Sequence, residues 1–223
     1  MGVSAADLPL LLDLIRKIQK GHGPPDYMFD RFLPLEMRLV SGQHWTPIDV
    51  ALRAAQWLRE YRVKTVLDIG SGAGKFCVVA ALASEASFAG MEHRPPLVRA
   101  ARALARTFGV ADRIEFACGE FDETSVPIAE ALYLFNPFGE NLYGREGQLD
   151  NHVHLSGTRY RRDVAAVERL LNAVPGGTFV MTYNGFGGRV PAGYELIRVD
   201  RELPNVLAMW RKRNGLPLTA NQA

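Results

Sequence analysis

The chain has 223 residues, 48% of them apolar and 22% charged, enough to bury a sizeable core in one globular domain and too apolar for a disordered segment. Twenty-six Lys and Arg stand against 24 Asp and Glu, a formal charge of +2, which excludes a large basic field for nucleic acid while leaving room for a local patch. Cys77 and Cys118 lie in separate apolar runs and read as structural thiols of a reducing compartment, not as a disulfide or a metal site.

Leu8, Leu11, Leu12, Ile15 and Ile18 recur at helical spacing before Gly21 and Gly23, which predicts an amphipathic first helix. Its start lacks a basic stretch and Asp13 interrupts its apolar part, so it resembles neither a signal peptide nor a membrane span. A cytoplasmic protein without a membrane partner is expected. Residues 24 to 45 are rich in aromatics and prolines and read as an irregular strap. Thr46-Pro47 then reads as an N-cap and first-turn proline for a helix through Arg59. The expected division is an N-terminal cover over residues 1 to 44 and a main domain over 45 to 223.

From Val63 onward the pattern alternates. Strands are expected at Thr65 to Ile69, Ser87 to Met91, Ile114 to Ala117, Ala131 to Phe135 and Thr178 to Tyr183, with helices at Phe76 to Ser84, Pro95 to Phe108 and Tyr160 to Ala173. Strands separated by helix-length segments imply a mostly parallel sheet with right-handed crossovers. Tyr194 to Arg201 and Val206 to Arg211, joined through Leu203-Pro204-Asn205, predict a closing antiparallel hairpin.

The sharpest local signal is Leu67-Asp68-Ile69-Gly70-Ser71-Gly72-Ala73-Gly74-Lys75-Phe76, a strand, a glycine turn and a helix start, where backbone N–H groups gather near a helix N-terminus. A dinucleotide fingerprint needs a small residue where Lys75 stands, and a phosphate loop needs a glycine at Ile69 and a hydroxyl at Phe76. Both of those readings are disfavoured.

An acidic residue followed by G-x-G-x-G, here Asp68 with Gly70, Ser71, Gly72 and Gly74, resembles the first motif of the class I S-adenosylmethionine-dependent methyltransferases. Further matches follow in that family's order: Glu92 at the end of the second strand, Gly119-Glu120-Phe121 after the third, Phe135-Asn136-Pro137-Phe138 after the fourth, and Pro175-Gly176-Gly177 before the fifth. With the hairpin they cover about residues 45 to 213. The resemblance implies a Rossmann-like α/β fold, a seven-stranded mostly parallel sheet with a C-terminal antiparallel hairpin and helices on both faces. It also implies S-adenosylmethionine as cofactor. Asp68 and the loop would contact it, Glu92 would accept hydrogen bonds from its ribose hydroxyls, Glu120 and Phe121 would face its adenine, and Trp45 would close over its methionine end. Asn136, Pro137 and Phe138 would sit beside the methyl acceptor. They are similar to the Asn/Asp-Pro-Pro-Tyr/Phe motif of amino-group methyltransferases, but with one proline and with Gly139 where that motif has an aromatic ring.

Bland readings stand beside these. Asp68 can cap its turn, Glu92 can be a strand exit, Glu120 shares its loop with Asp122 and Glu123, Trp45 can be plain core, and Asn-Pro can simply end a strand. Arg99, Arg102 and Arg106 read as a wet helix face. His152 and His154 lack the cysteines or carboxylates that would support a metal, and none is expected. The glycine-bearing segment Gly139 to Gly157 is expected to form a lid. The expected activity is methyl transfer to an acceptor of unspecified class, protein, nucleic acid or small molecule, with nitrogen as the leading acceptor atom. The alternatives are O- or C-methylation of a small molecule, an aminopropyl transfer, or a non-catalytic S-adenosylmethionine-binding interaction module.

Overall fold

The structure, a computed structural model, describes residues 4–150 and 153–214. The amphipathic α1 (Leu8–Gln19) is followed by three short helices, α2 (Asp26–Asp30), α3 (Leu35–Leu39) and α4 (Ser41–His44), and then by α5 (Ile48–Glu60). Strands and helices then alternate through β1 (Thr65–Ile69), α6 (Lys75–Ala83), β2 (Ser87–Glu92), α7 (Pro95–Thr107), β3 (Ile114–Cys118) and β4 (Ala131–Leu134). The chain closes with α8 (Gly157–Ala173), β5 (Phe179–Tyr183), β6 (Tyr194–Asp200) and β7 (Leu207–Lys212). The seven strands form one sheet in the order β3-β2-β1-β4-β5-β7-β6, with β7 antiparallel to both β5 and β6 and the other pairs parallel.

The expected architecture is present, and its strand and helix boundaries from β1 onward differ by at most three residues. Two local readings change. The strap is three helical turns, each short because prolines at 25 and 34 start α2 and α3 and the chain turns again at Val40. Thr46 does not cap α5; its hydroxyl lies 3.0 Å from that of Tyr133, while Asp26 Oδ1 accepts the Ile48 N–H at 3.0 Å. A partner distant in sequence displaced the local cap.

One core lies between the sheet, α5, α6 and α7, and it continues under the N-terminal helices through Leu14, Ile18 and Phe29. Phe29 stacks on Phe108 with ring centroids 4.5 Å apart. A second core on the other face joins β1, β4 and β5 to α8 through Leu67, Leu132, Val167 and Leu171. α6 is buried along its whole length, which explains its unbroken apolar run. Among the described residues, no helix is long and apolar enough to cross a membrane.

Candidate functional site

Parallel strands β1, β2 and β4 all end at one edge, and α4 and the segment after β4 close over it to leave a cavity of about 200 Å³. That edge is where open α/β sheets gather their ligands, because the strand order reverses there and the loops diverge. Of the residues expected at the site, Trp45, Gly70, Gly72, Glu92, Phe121 and the run Asn136-Pro137-Phe138 line it.

Glu92 is 6% exposed. Its Oε2 accepts the Gly72 N–H at 3.2 Å and its Oε1 the Arg94 N–H at 2.8 Å. Burial raises its pKa, opposed by these bonds and by the Arg94 charge. His93 Nδ1 lies 3.2 Å from Glu92 Oε1. Burial, with Arg94 and Arg159 nearby, lowers the His93 pKa to about 4, so this ring is neutral at neutral pH.

Gly72 has φ +54, and a Cβ there would lie 2.5 Å from the Trp45 ring. The glycine therefore serves a left-handed turn and a close approach together. Trp45 is held by its indole N–H, which donates to the Met37 carbonyl at 2.8 Å.

The other expected residues sit elsewhere. Asp68 is 3% exposed beneath the loop and accepts the Cys77 thiol at 3.3 Å. Burial raises its pKa to about 7, opposed by the thiol bond. Its carboxyl packs against α6 at Cys77 and does not border the cavity. Ser71 is buried with its Oγ unpaired among the described residues, and Gly74 abuts Ala101 and Phe116. Glu120 is exposed and pairs with Arg159 at 3.3 Å and Arg162 at 3.5 Å, so of the expected adenine-facing pair only Phe121 borders the cavity, its ring 5.9 Å from that of Phe138.

Sequence reading missed Arg94, Glu140, Arg159, Asp163, Asn184 and Asn205, which also line the cavity. Arg94, 4% exposed, donates to Glu140 at 2.9 Å and Asp150 at 2.8 Å, pinning the segment after β4. That segment holds two 3-10 turns, Gly139–Leu142 and Arg145–Gly147. Arg94 follows Glu92 by two positions, a weak signal that gains meaning only from its distant partners. His152 lies outside the described residues, and no metal-ligating cluster occurs among them.

Residues 62–131 match a family model described as a methyltransferase domain, and the match spans the glycine loop, Glu92 and the strands that carry them. Over those residues the chain is similar to methyltransferase domains. Solved structures share its fold. An RNA methyltransferase from Salinibacter ruber, in complex with S-adenosyl-L-homocysteine, aligns with TM-score 0.51 and 23% identity over 79% of this chain and 99% of that one. TrmN from Thermus thermophilus aligns at 0.56 with 16% identity, covering 83% of this chain and 53% of its own. A candidate O-methyltransferase from Klebsiella pneumoniae aligns at 0.55 with 14% identity, covering 94% and 97%. At these identities the likeness is one of fold.

Proposed function

We propose that this protein is a methyltransferase that holds S-adenosylmethionine across the ends of β1 and β2 and passes its methyl group to an acceptor, with nitrogen favoured, at Asn136. The buried Glu92 carries the reading. A buried carboxylate at the cavity wall, oriented by the Gly72 and Arg94 N–H groups, is an acceptor that suits a vicinal diol. Gly70 and Gly72 let the main chain approach a polar ligand, Phe121 offers a ring face to the adenine, and Trp45 closes the methionine side.

When bound, the sulfonium supplies an activated methyl group, so the chain's own work is positioning and exclusion of water. Asn136 orients the acceptor with its amide oxygen, the Pro137 carbonyl can accept a second N–H, and Phe138 packs beside the acceptor. The N-terminal segment through residue 44 acts as a cover, since α4 lends the cavity Gln43 and His44. Gly139 follows from the same design: any side chain there would run into the Asn136 amide. The position that departs from the amino-methyltransferase motif thus makes room for its asparagine.

Calorimetry with S-adenosylhomocysteine tests the reading. Wild-type protein binds it, and Glu92→Ala weakens binding by about 1.5 to 3 kcal/mol through loss of charge-assisted hydrogen bonds while the protein stays folded. Unchanged affinity would remove Glu92 from the site. Methyl-labelled cofactor with fractionated lysate then identifies the acceptor class, and binding without any transfer would favour an interaction module.

A further inference from the structure

The acceptor end of the cavity carries amides where the other end carries charge. Asn136 and Asn184 follow β4 and β5, Asn205 lies in the β6–β7 turn, and all three line the cavity. Main-chain bonds hold their strand ends side by side: Asn136 N–H donates to the Gly185 carbonyl at 2.9 Å, and Asn184 N–H to the Val206 carbonyl at 3.0 Å. Asn205 lies beside β5 through its Nδ2, 3.4 Å from the Tyr183 hydroxyl.

Two observations separate these residues from ordinary strand exits. Asn136 and Asn184 have φ +38 and +57, and only one other non-glycine among the described residues, Arg62, has positive φ. Such backbone strain persists where surrounding structure imposes it, often at ligand sites. Moreover, neither the Asn136 nor the Asn184 amide has a side-chain hydrogen bond among the described residues. The charged groups of the wall are by contrast already matched: Arg94 with Glu140 and Asp150, and Arg159 with Asp163 at 3.5 Å and Glu120.

We infer that Asn136, Asn184 and Asn205 form an acceptor subsite for an uncharged, planar hydrogen-bonding group, with Asn184 a specificity-determining residue. This rests on the methyl-transfer reading of the cavity. Amides offer a donor and an acceptor on one face, which suits a neutral group that presents both. Asn184 and Asn205 are exposed and Asn136 is half-buried, so discrimination rests on pairing: a cationic amine or an anionic carboxylate would meet no unmatched countercharge there. Phe135 and Phe138, which also line this end, supply flat apolar surface for a planar group.

The test separates the amide's chemistry from its backbone role. Protein saturated with S-adenosylhomocysteine is titrated with benzamide, benzoate and benzamidine, three probes of one shape that differ in charge, and followed by ligand-observed NMR. Benzamide is expected to bind, with benzoate and benzamidine at least about tenfold weaker, the scale of one unpaired charge at a partly exposed site. Asn184→Gly adopts the left-handed conformation without strain, so fold and S-adenosylhomocysteine affinity are retained while benzamide binding is lost. Asn184→Asp is expected to lose benzamide and gain benzamidine. Benzamide that fails to bind, equal binding of a charged probe, or wild-type benzamide affinity in Asn184→Gly each overturns the subsite. Protein that selects benzamide yet fails to bind S-adenosylhomocysteine overturns the cofactor reading and leaves the subsite standing.

Discussion

Asp68 shows how one carboxyl can belong to a family motif without touching the cavity. Its folded pKa, raised to about 7 by burial from 3.8, means that the neutral form is the one the fold favours. Its contribution to stability is full below about pH 4 and is lost as pH rises through 7. Asp68→Asn, neutral at every pH, should therefore gain on the wild type between pH 5 and pH 8, by an amount on the order of a few kcal/mol. Urea unfolding at both pH values checks this; a difference independent of pH would mean that Asp68 is ionised throughout. At Asn136 the expected loss is kinetic. Asn136→Ala should keep S-adenosylhomocysteine affinity and reduce methyl transfer at saturating acceptor by roughly 10- to 1,000-fold, the scale of one positioned polar contact. Full turnover in that variant would leave nitrogen methylation without its sequence support.

The segment between β4 and α8 is ordered by pairs instead of by an apolar stripe. Glu140 Oε1 accepts both Arg94 and the Leu149 N–H, the latter at 2.7 Å, so one carboxylate ties the first 3-10 turn to residues further along the same segment. Asn141 continues the tie by accepting the Ser156 N–H at 3.2 Å, next to the Ser156 hydroxyl that caps α8 at Arg159. Glu140→Ala should therefore speed amide exchange at residues 141 to 149 by about tenfold or more while β1 and β4 stay protected, because a buried arginine loses one of its two carboxylates. Exchange unchanged in that segment would show that packing holds it. Closure over bound ligand, expected of a lid, is read in the same experiment as added protection when cofactor and acceptor are both present.

The N-terminal helices meet the rest of the molecule at Lys75. This side chain, 2% exposed, pairs with Asp26 at 2.6 Å and Asp30 at 2.8 Å, and also donates to Ser41 at 3.3 Å. It begins α6 directly after the glycine loop, so the cover and the loop share one buried ion cluster. Lys75→Met should cost about 3 to 5 kcal/mol, since Asp30 is then left buried without its cation. Lys75→Met with Asp30→Asn and Asp26→Asn should recover much of that loss, and denaturant unfolding of the two variants decides between an electrostatic and a packing role.

The amino-acid sequence by itself determined the alternation of strands and helices, the closing hairpin, the glycine loop and the positions of Glu92 and Asn136. Hydrophobic period, glycine and proline act over a few residues and are visible in one dimension. It also carried the reason for rejecting a dinucleotide at Lys75, though not what Lys75 does. Only the tertiary structure decided that Asp68 faces Cys77, that Thr46 answers to Tyr133 and not to its own helix, and that Arg94 meets Glu140 and Asp150. It likewise decided that three asparagines from separate strand ends share one wall. Burial and pairing depend on partners 9 to 87 positions away in sequence, and which partner a polar side chain finds is fixed by how the sheet stacks its strand ends.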